Sequence, residues 1–439
     1  MDPGPVRIYV AQDSPRLQYI ASLILGEILG LQWEITTDKR KTRKRAVINY
    51  SEENIAGAFR IIPDTLLFEK GIRQKEISVT SYNNLPVFFS SDGVSDFPFD
   101  VFAASFYLVS RYEEYSGEMC DEHGRFRASS SLAYRNGFLN MPVVDLWAWE
   151  LAKAFIRKFR DVAVRRTEFR SMLTIDADEA YAYLGRNLFS SIGAIVGDMK
   201  SRKANISERF RTVTHEENDP YDVFGYITGI IQKNGTEAGF FFPVGDHSKY
   251  DKNPSWKFPA YRTLISGISE HYRTGLHPSY YAFFQKKVLD KEKLRLAEVT
   301  GQNILTSRFH YLRFRLPESY RQLNEIGITE DYSMGYADEP GFRAGIARPF
   351  YFYDVIEDRT TSLRIFPFMV MDETLFNYKK LDKDAALDFL NRIIRDVRKA
   401  GGTFISIWHN TSLLENGDSR FKREVFELML EYMSSDTSS

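Results

Sequence analysis

The sequence predicts an α/β protein in two parts, on three observations. From about residue 166 onward, short apolar runs alternate with helical periodicities over about 270 residues, as in a parallel sheet that is open or closed into a barrel. At 439 residues the chain exceeds one ordinary core, so two domains are expected. Third, polar residues stand where the apolar runs end, which is where parallel sheets collect their chemistry. The expected division is a smaller α/β domain at 1–165 and the longer alternating domain at 166–439.

In the first part "VRIYVA" reads as a strand and "SPRLQYIASLILGEILG" as an amphipathic helix, with Ser14 as N-cap and Pro15 at its first position. "LQWEITT" and "RAVINYS" read as further strands. "DVFAASFYLVSRYEEYSG" is an apolar helix ended by Gly117, and "DEHGRFRASSSLAYRNGFLNMP" a polar excursion whose His123 reads as structural. "VVDLWAWELAKAFIRKF" is a second amphipathic helix, its charges late as the helix dipole prefers.

The second part opens on "FRSMLTIDADEAY", followed by a helical stretch, "LFSSIGAIVGDMKSRKANISERF", and the acidic "HEENDPYD". Then come a helix "VFGYITGIIQKNG" closed by Gly235, a strand "EAGFFFPVG", a helix "AYRTLISGISEHYRTG" and a strand end "GLHPSYY". A helix "KKVLDKEKLRLAEVTG", a strand "HYLRFRL", a helix "PESYRQLNEIG" and a Gly-rich turn "EPGFRAG" continue the pattern. "LRIFPFMVMDE", "DKDAALDFLNRIIRDVRKAGG" and "TFISIWHN" repeat strand, helix, strand.

Composition excludes several classes. The 58 basic and 59 acidic residues nearly cancel, so no electrostatic footprint for nucleic acid is visible. The basic run "TTDKRKTRKRAVINY" sits between apolar segments and reads as a solvated loop or edge. A single cysteine, Cys120, excludes an intramolecular disulfide and a cysteine-based zinc cage, and fits a reducing compartment. No apolar run approaches the roughly 18 residues of a membrane span. The opening "MDPGPVRIYVAQ" lacks the blocks of a signal peptide, so a cytoplasmic location is expected.

The candidate chemistry centres on "TIDADE". Side chains alternate along a strand, so Asp176 and Asp178 share a face, an arrangement that costs energy unless a cation or proton is handled nearby. His277 ends the strand of "GLHPSYY", His409 ends the strand of "TFISIWHN", and Arg343 stands in the turn "PGFRAG". Singly, each has a structural alternative: a helix cap for the aspartates, a carboxylate pair for the arginine, a hydrogen-bonded role for each histidine. Together at one rim they suit metal-assisted hydrolysis. Carboxylate and neutral imidazole are ligands for a divalent ion, a second carboxylate takes a proton from water, and a histidine returns one to the leaving group.

"TIDADE", "GLHPSY", "GFRAG" and "ISIWHN" occur in the order of the motifs of the polysaccharide deacetylase superfamily, also called the NodB-homology or carbohydrate esterase family. The chain resembles that family over roughly residues 168–415. The resemblance implies a distorted (β/α) barrel and a metal-dependent hydrolase that removes acetyl groups from N-acetylated sugars. It implies Asp176 as base, Asp178 as metal ligand, Arg343 as the residue orienting the base, and His409 as general acid with Asp372 as its carboxylate partner. The family's His-x-x-x-His segment is departed from: His277 matches the first histidine, but Tyr281 stands at the second. His310, in "TSRFHYLRF", is the candidate third ligand. The expected cofactor is a divalent metal, zinc first, with cobalt, nickel or iron as alternatives. The expected partner is a carbohydrate substrate. The first part looks like the N-terminal region joined to such domains in Bacteroidetes-type proteins. Two other functions fit some residues: a catalytically impaired saccharide-binding protein on the same fold, given Tyr281, and a glycosyltransferase holding a metal–nucleotide sugar on "DAD".

Overall fold

In the computed structural model, residues 4–42, 46–91, 93–116, 120–185, 218–415, 417 and 419–435 are described; the helical stretch read around "LFSSIGAIVGDMKSRKANISERF" and Gly117 lie outside them. The first part carries a parallel four-stranded sheet, β1 (Val6–Tyr9), β2 (Trp33–Thr36), β3 (Val47–Tyr50) and β4 (Phe59–Ile61), in the order β2-β1-β3-β4. The Ser14 hydroxyl accepts from Leu17 N and starts the helix Pro15–Ala21, which continues as a π-helical stretch, Ser22–Ile28. A small hairpin, β5 (Thr80–Tyr82) and β6 (Leu85–Val87), follows. Asp100 caps the apolar helix Val101–Val109 through the amides of Phe102 and Ala103.

The second part is organised around β7 (Arg170–Asp176), buried from Met172 onward because it is covered on both faces. On one side it pairs in parallel with β8 (Glu237–Phe242), and then follow β9 (Arg273–Leu276), β10 (Thr306–Ser307) and β11 (Glu330–Asp331). Beyond these lie β13 (Arg359–Ile365) and its antiparallel neighbour β12 (Phe350–Asp354). On the other side β7 pairs with β15 (Thr403–His409), placing His409 opposite Asp176, and β15 with β14 (Val370–Met371). Helices Phe224–Asn234, Pro259–Ser269, Lys286–Thr300, Glu318–Glu325 and Lys383–Ala400 connect these strands.

The hydrogen-bonded order has two ends, β12 and β14. It nevertheless curls. β10 lies three strand positions from β7, about 14 Å on a flat sheet, yet Arg308, just past β10, donates to Thr174 Oγ1 on β7 at 2.7 Å. Only a sheet rolled towards a barrel brings those ends within one side chain's reach.

Two local expectations are corrected. "HYLRFRL" is no strand: β10 stops at Ser307, and His310–Leu312 is a 3₁₀ turn with Tyr311 and Leu312 at φ 59° and 54°. The apolar alternation there reflects burial of His310 and Leu312 in a turn. The antiparallel β12–β13 pair was not anticipated; it forms an edge that helix-joined strands do not need.

The expected boundary near 165 falls between helix Val143–Lys158 and β7, and the buried apolar residues on both sides belong to one continuous cluster. Charged groups cross the same junction. Arg343 donates Nε and Nη2 to the two carboxylate oxygens of Glu114 at 2.9 and 2.6 Å, and Arg111 Nε donates to Glu114 at 2.7 Å. Arg348 pairs with Asp145 at 2.6 Å, and Tyr19 donates its hydroxyl to Tyr351 O. Among the described residues, no helix is long and apolar enough to cross a membrane. Glu114→Gln leaves Arg343 buried without its carboxylate and lowers stability by about 3–5 kcal/mol in urea unfolding. Lys153→Ala, which breaks the exposed pair with Glu150, lowers it by less than about 1 kcal/mol.

Candidate metal centre

β7 ends at Asp176, Ala177 N still bonds Phe241 O, and Asp178 lies one residue beyond, so both carboxylates emerge on the same side of the strand. His277 follows β9 directly and stands 2.9 Å from Asp178 Oδ1 and 3.9 Å from Asp176 Oδ2, both measured from Nε2. His310 Nε2 lies 3.2 Å from Asp178 Oδ2, and His409 Nε2 lies 3.6 Å from the same oxygen. Parallel strands thus deliver five residues, from four segments far apart in sequence, to one rim.

Each imidazole is oriented from behind. The Nδ1–H of His277 donates to the carbonyl of Arg308 at 2.6 Å, which leaves Nε2 turned towards Asp178. His310 Nδ1 meets Asp251 Oδ1 at 2.9 Å, and Asp251 is itself fixed by Tyr280 N and the Ser248 hydroxyl. His409 Nδ1 meets Asp372 Oδ1 at 2.7 Å, while Asp372 Oδ2 accepts from the His409 amide.

These residues fit a divalent ion. One ligand atom each from Asp178, His277 and His310 can be chosen so that all lie within 4.8 Å of one another. His277 Nε2 and Asp178 Oδ1 are buried and lack a hydrogen-bond partner although 2.9 Å separates them. Both atoms are therefore available to an ion placed between them. The 2.9 Å from His277 to Asp178 Oδ1 and the 3.2 Å from His310 to Asp178 Oδ2 are near the ligand–ligand edge of about 3.0–3.4 Å that metal–ligand bonds of about 2.1 Å produce. Asp178 keeps 24% side-chain exposure, which leaves the centre open on one side.

The charges agree with this geometry. Burial works against ionised Asp178, yet His310 and His277 hold its carboxyl well below the usual range. Burial also opposes charge on His310, but Asp178 and Asp251 push its pKa up to about 10. His409 is held well above the usual histidine range: burial opposes it, and Asp372 first, then Asp178 and Asp176, outweigh that.

Arg343, expected beside Asp176, lies elsewhere. Its turn faces the first part, and its guanidinium is taken by Glu114 and Gly335 O. Asp176 is held by Arg308, whose Nη1 donates to Oδ1 at 2.7 Å while its Nε bonds Tyr332 O. Sequence reasoning missed Arg308 and Asp251. A signal for Arg308 existed: in "TSRFHY" it stands two residues before His310, the spacing of "DAD". Asp251 carried no such signal, being in a loop. Tyr281, at the family's second histidine position, is 45% exposed and packs with Tyr250 and Tyr280.

A family model described as a family of unknown function, DUF7033, matches residues 6–160. No curated protein matches. Solved structures similar to this chain include a putative polysaccharide deacetylase from Mycobacterium smegmatis, at 14% identity and TM-score 0.42, covering 62% of this chain and 85% of that one. A probable polysaccharide deacetylase from Pseudomonas aeruginosa is similar at 12% identity and TM-score 0.39, over 61% and 86%. A CE4 family pseudoenzyme from Bacillus anthracis is similar at 11% identity and TM-score 0.31, over 60% of each.

Calorimetric titration with zinc should show one ion per chain, with binding strongly weakened in Asp178→Asn and in His310→Ala. Asp251→Asn should weaken it about 10–100-fold. Because His310 is protonated below about pH 10, ion binding displaces that proton. Apparent affinity should therefore rise about tenfold per pH unit up to that value and fall as the pH is lowered.

Proposed function

We propose that this chain is a metal-dependent hydrolase that removes an N-acetyl group from a sugar, glycan or glycan precursor. The observation that carries the reading is the convergence of Asp178, His277 and His310 beside a separate carboxylate, Asp176, and a separate histidine, His409. Three donors for an ion, one base and one acid are what amide hydrolysis by activated water requires. The substrate class rests on the motif resemblance over "TIDADE", "GLHPSY" and "ISIWHN".

Asp178, His277 and His310 would hold the ion, which when bound polarises an acyl oxygen and acidifies water. Zinc suits the mixed oxygen and nitrogen donors; cobalt, nickel or iron would accept the same set. Arg308 occupies Asp176 Oδ1, so Oδ2, nearer His277, is the atom left to take the proton from the attacking water. Asp372 fixes the His409 ring by Nδ1 and leaves Nε2 towards the centre, where it delivers a proton to the departing amine. His409 is held above the usual range, so it carries that proton at neutral pH. The exposed, unpaired Cys120 supports a reducing, cytoplasmic setting.

The zinc- or cobalt-loaded protein should release acetate from N-acetylglucosamine oligomers. Asp176→Asn should lower kcat by about 10²–10⁴-fold with bound metal unchanged. An undiminished rate in that variant would remove Asp176 from the mechanism, and no acetate from the metal-loaded parent would favour a saccharide-binding protein.

A further inference from the structure

Residues 120–126 of the first part reach the rim of the metal centre. A bridge between Cys120 and Phe126 and the bonds Asp121 N to Arg125 O and Gly124 N to Asp121 O close a tight hairpin. Gly124 takes φ 74°, where a side chain would be strained. Asp121 fills the turn from inside: Oδ1 accepts from His123 N and Arg125 N, and Oδ2 from Arg125 Nε at 2.6 Å. Arg125, so fixed, reaches the second part. Its Nη1 donates to the Tyr311 carbonyl at 3.0 Å and its Nη2 to the Tyr378 hydroxyl at 3.5 Å. Arg313 returns the contact, donating Nε to His123 O at 2.8 Å.

Tyr311 directly follows His310, and the two rings meet edge-on at 4.7 Å. Its backbone is left-handed, φ 59° and ψ 11°, a conformation that non-glycine residues hold only when neighbours impose it and that clusters at ligand clamps. The ring of His123 leans on it at 5.1 Å and that of Tyr280 at 5.3 Å. Yet Tyr311 is 37% exposed, and Tyr378, six residues past Asp372, is 48% exposed. The hairpin therefore contacts two partly open tyrosines, Tyr378 and Tyr311, the latter next to His310.

We propose that residues 120–126 form one wall of the site and that Tyr311 is a specificity-determining residue, its ring stacking on a pyranose ring of the substrate. The inference deepens the deacetylase reading and rests on it for the class of ligand. An aromatic face with a hydroxyl at its edge matches the apolar C–H face and polar rim of a sugar.

Binding of the N-acetylglucosamine tetramer to the zinc-loaded full chain tests this by calorimetry, in the Asp176→Asn background so that ligand is not consumed. Tyr311→Asn keeps a residue that tolerates the left-handed backbone and should weaken binding about tenfold or more, with zinc content unchanged. Tyr311→Phe should restore most of that loss, and Arg125→Met should weaken binding in the same direction. Binding unaltered by Tyr311→Asn, or no binding by the parent, would overturn the proposal. Binding that depends on Tyr311 in a protein that releases no acetate sinks the hydrolase reading and leaves the wall standing; acetate release with KM unmoved by Tyr311→Asn does the opposite.

Discussion

The site depends on a carboxylate placed where three imidazoles point at it. A charge removed from water is costly unless partners offset it, and Asp178 has His277 and His310 within 3.2 Å and His409 at 3.6 Å. Parallel strands supply that geometry, since every strand sends its carboxyl end to the same rim. Rolling of the sheet does the rest, because it carries Arg308 and His310 from beyond β10 back to the face of β7. Behind the rings, a carbonyl and two carboxylates settle which nitrogen faces inward. Remove those acceptors and the donors would still be present, but they would no longer be aimed.

The first part is bound into this arrangement. Arg343 links the Gly-rich turn of the second part to Glu114, and Arg111 approaches the same carboxylate from its own chain segment. Buried charge of this kind contributes little as net stability when paired, but its disruption is costly. It therefore specifies how the two parts meet. The same junction brings the hairpin at 120–126, within the region matched by a family model of unknown function, against Tyr311, the neighbour of His310.

Much of the centre was visible in the sequence because apolar runs ended on polar residues: Asp176 after "MLTI", His277 after "TGL" and His409 after "ISIW". Burial on both faces makes such runs continuous, and a charged or imidazole side chain at their end then stands out. Pairings between distant segments were not visible. Arg343 drew the base-orienting role because its Gly-flanked setting resembled a motif, whereas Arg308 obtains that contact through the roll of the sheet, which no local pattern encodes. His310 was found by residue type, yet its setting was misread, since a strand and a tight turn with two buried side chains produce the same alternation. Asp251 orients a ring from a loop, where spacing carries no information.

The central claim is that Asp178, His277 and His310 together grip one divalent ion. X-ray absorption at the zinc edge of the loaded protein measures this directly. The account predicts oxygen and nitrogen neighbours at about 2.0–2.2 Å with the outer-shell scattering of two imidazoles, falling to one in His310→Ala. Sulfur scattering, or an imidazole count untouched by that substitution, would contradict it.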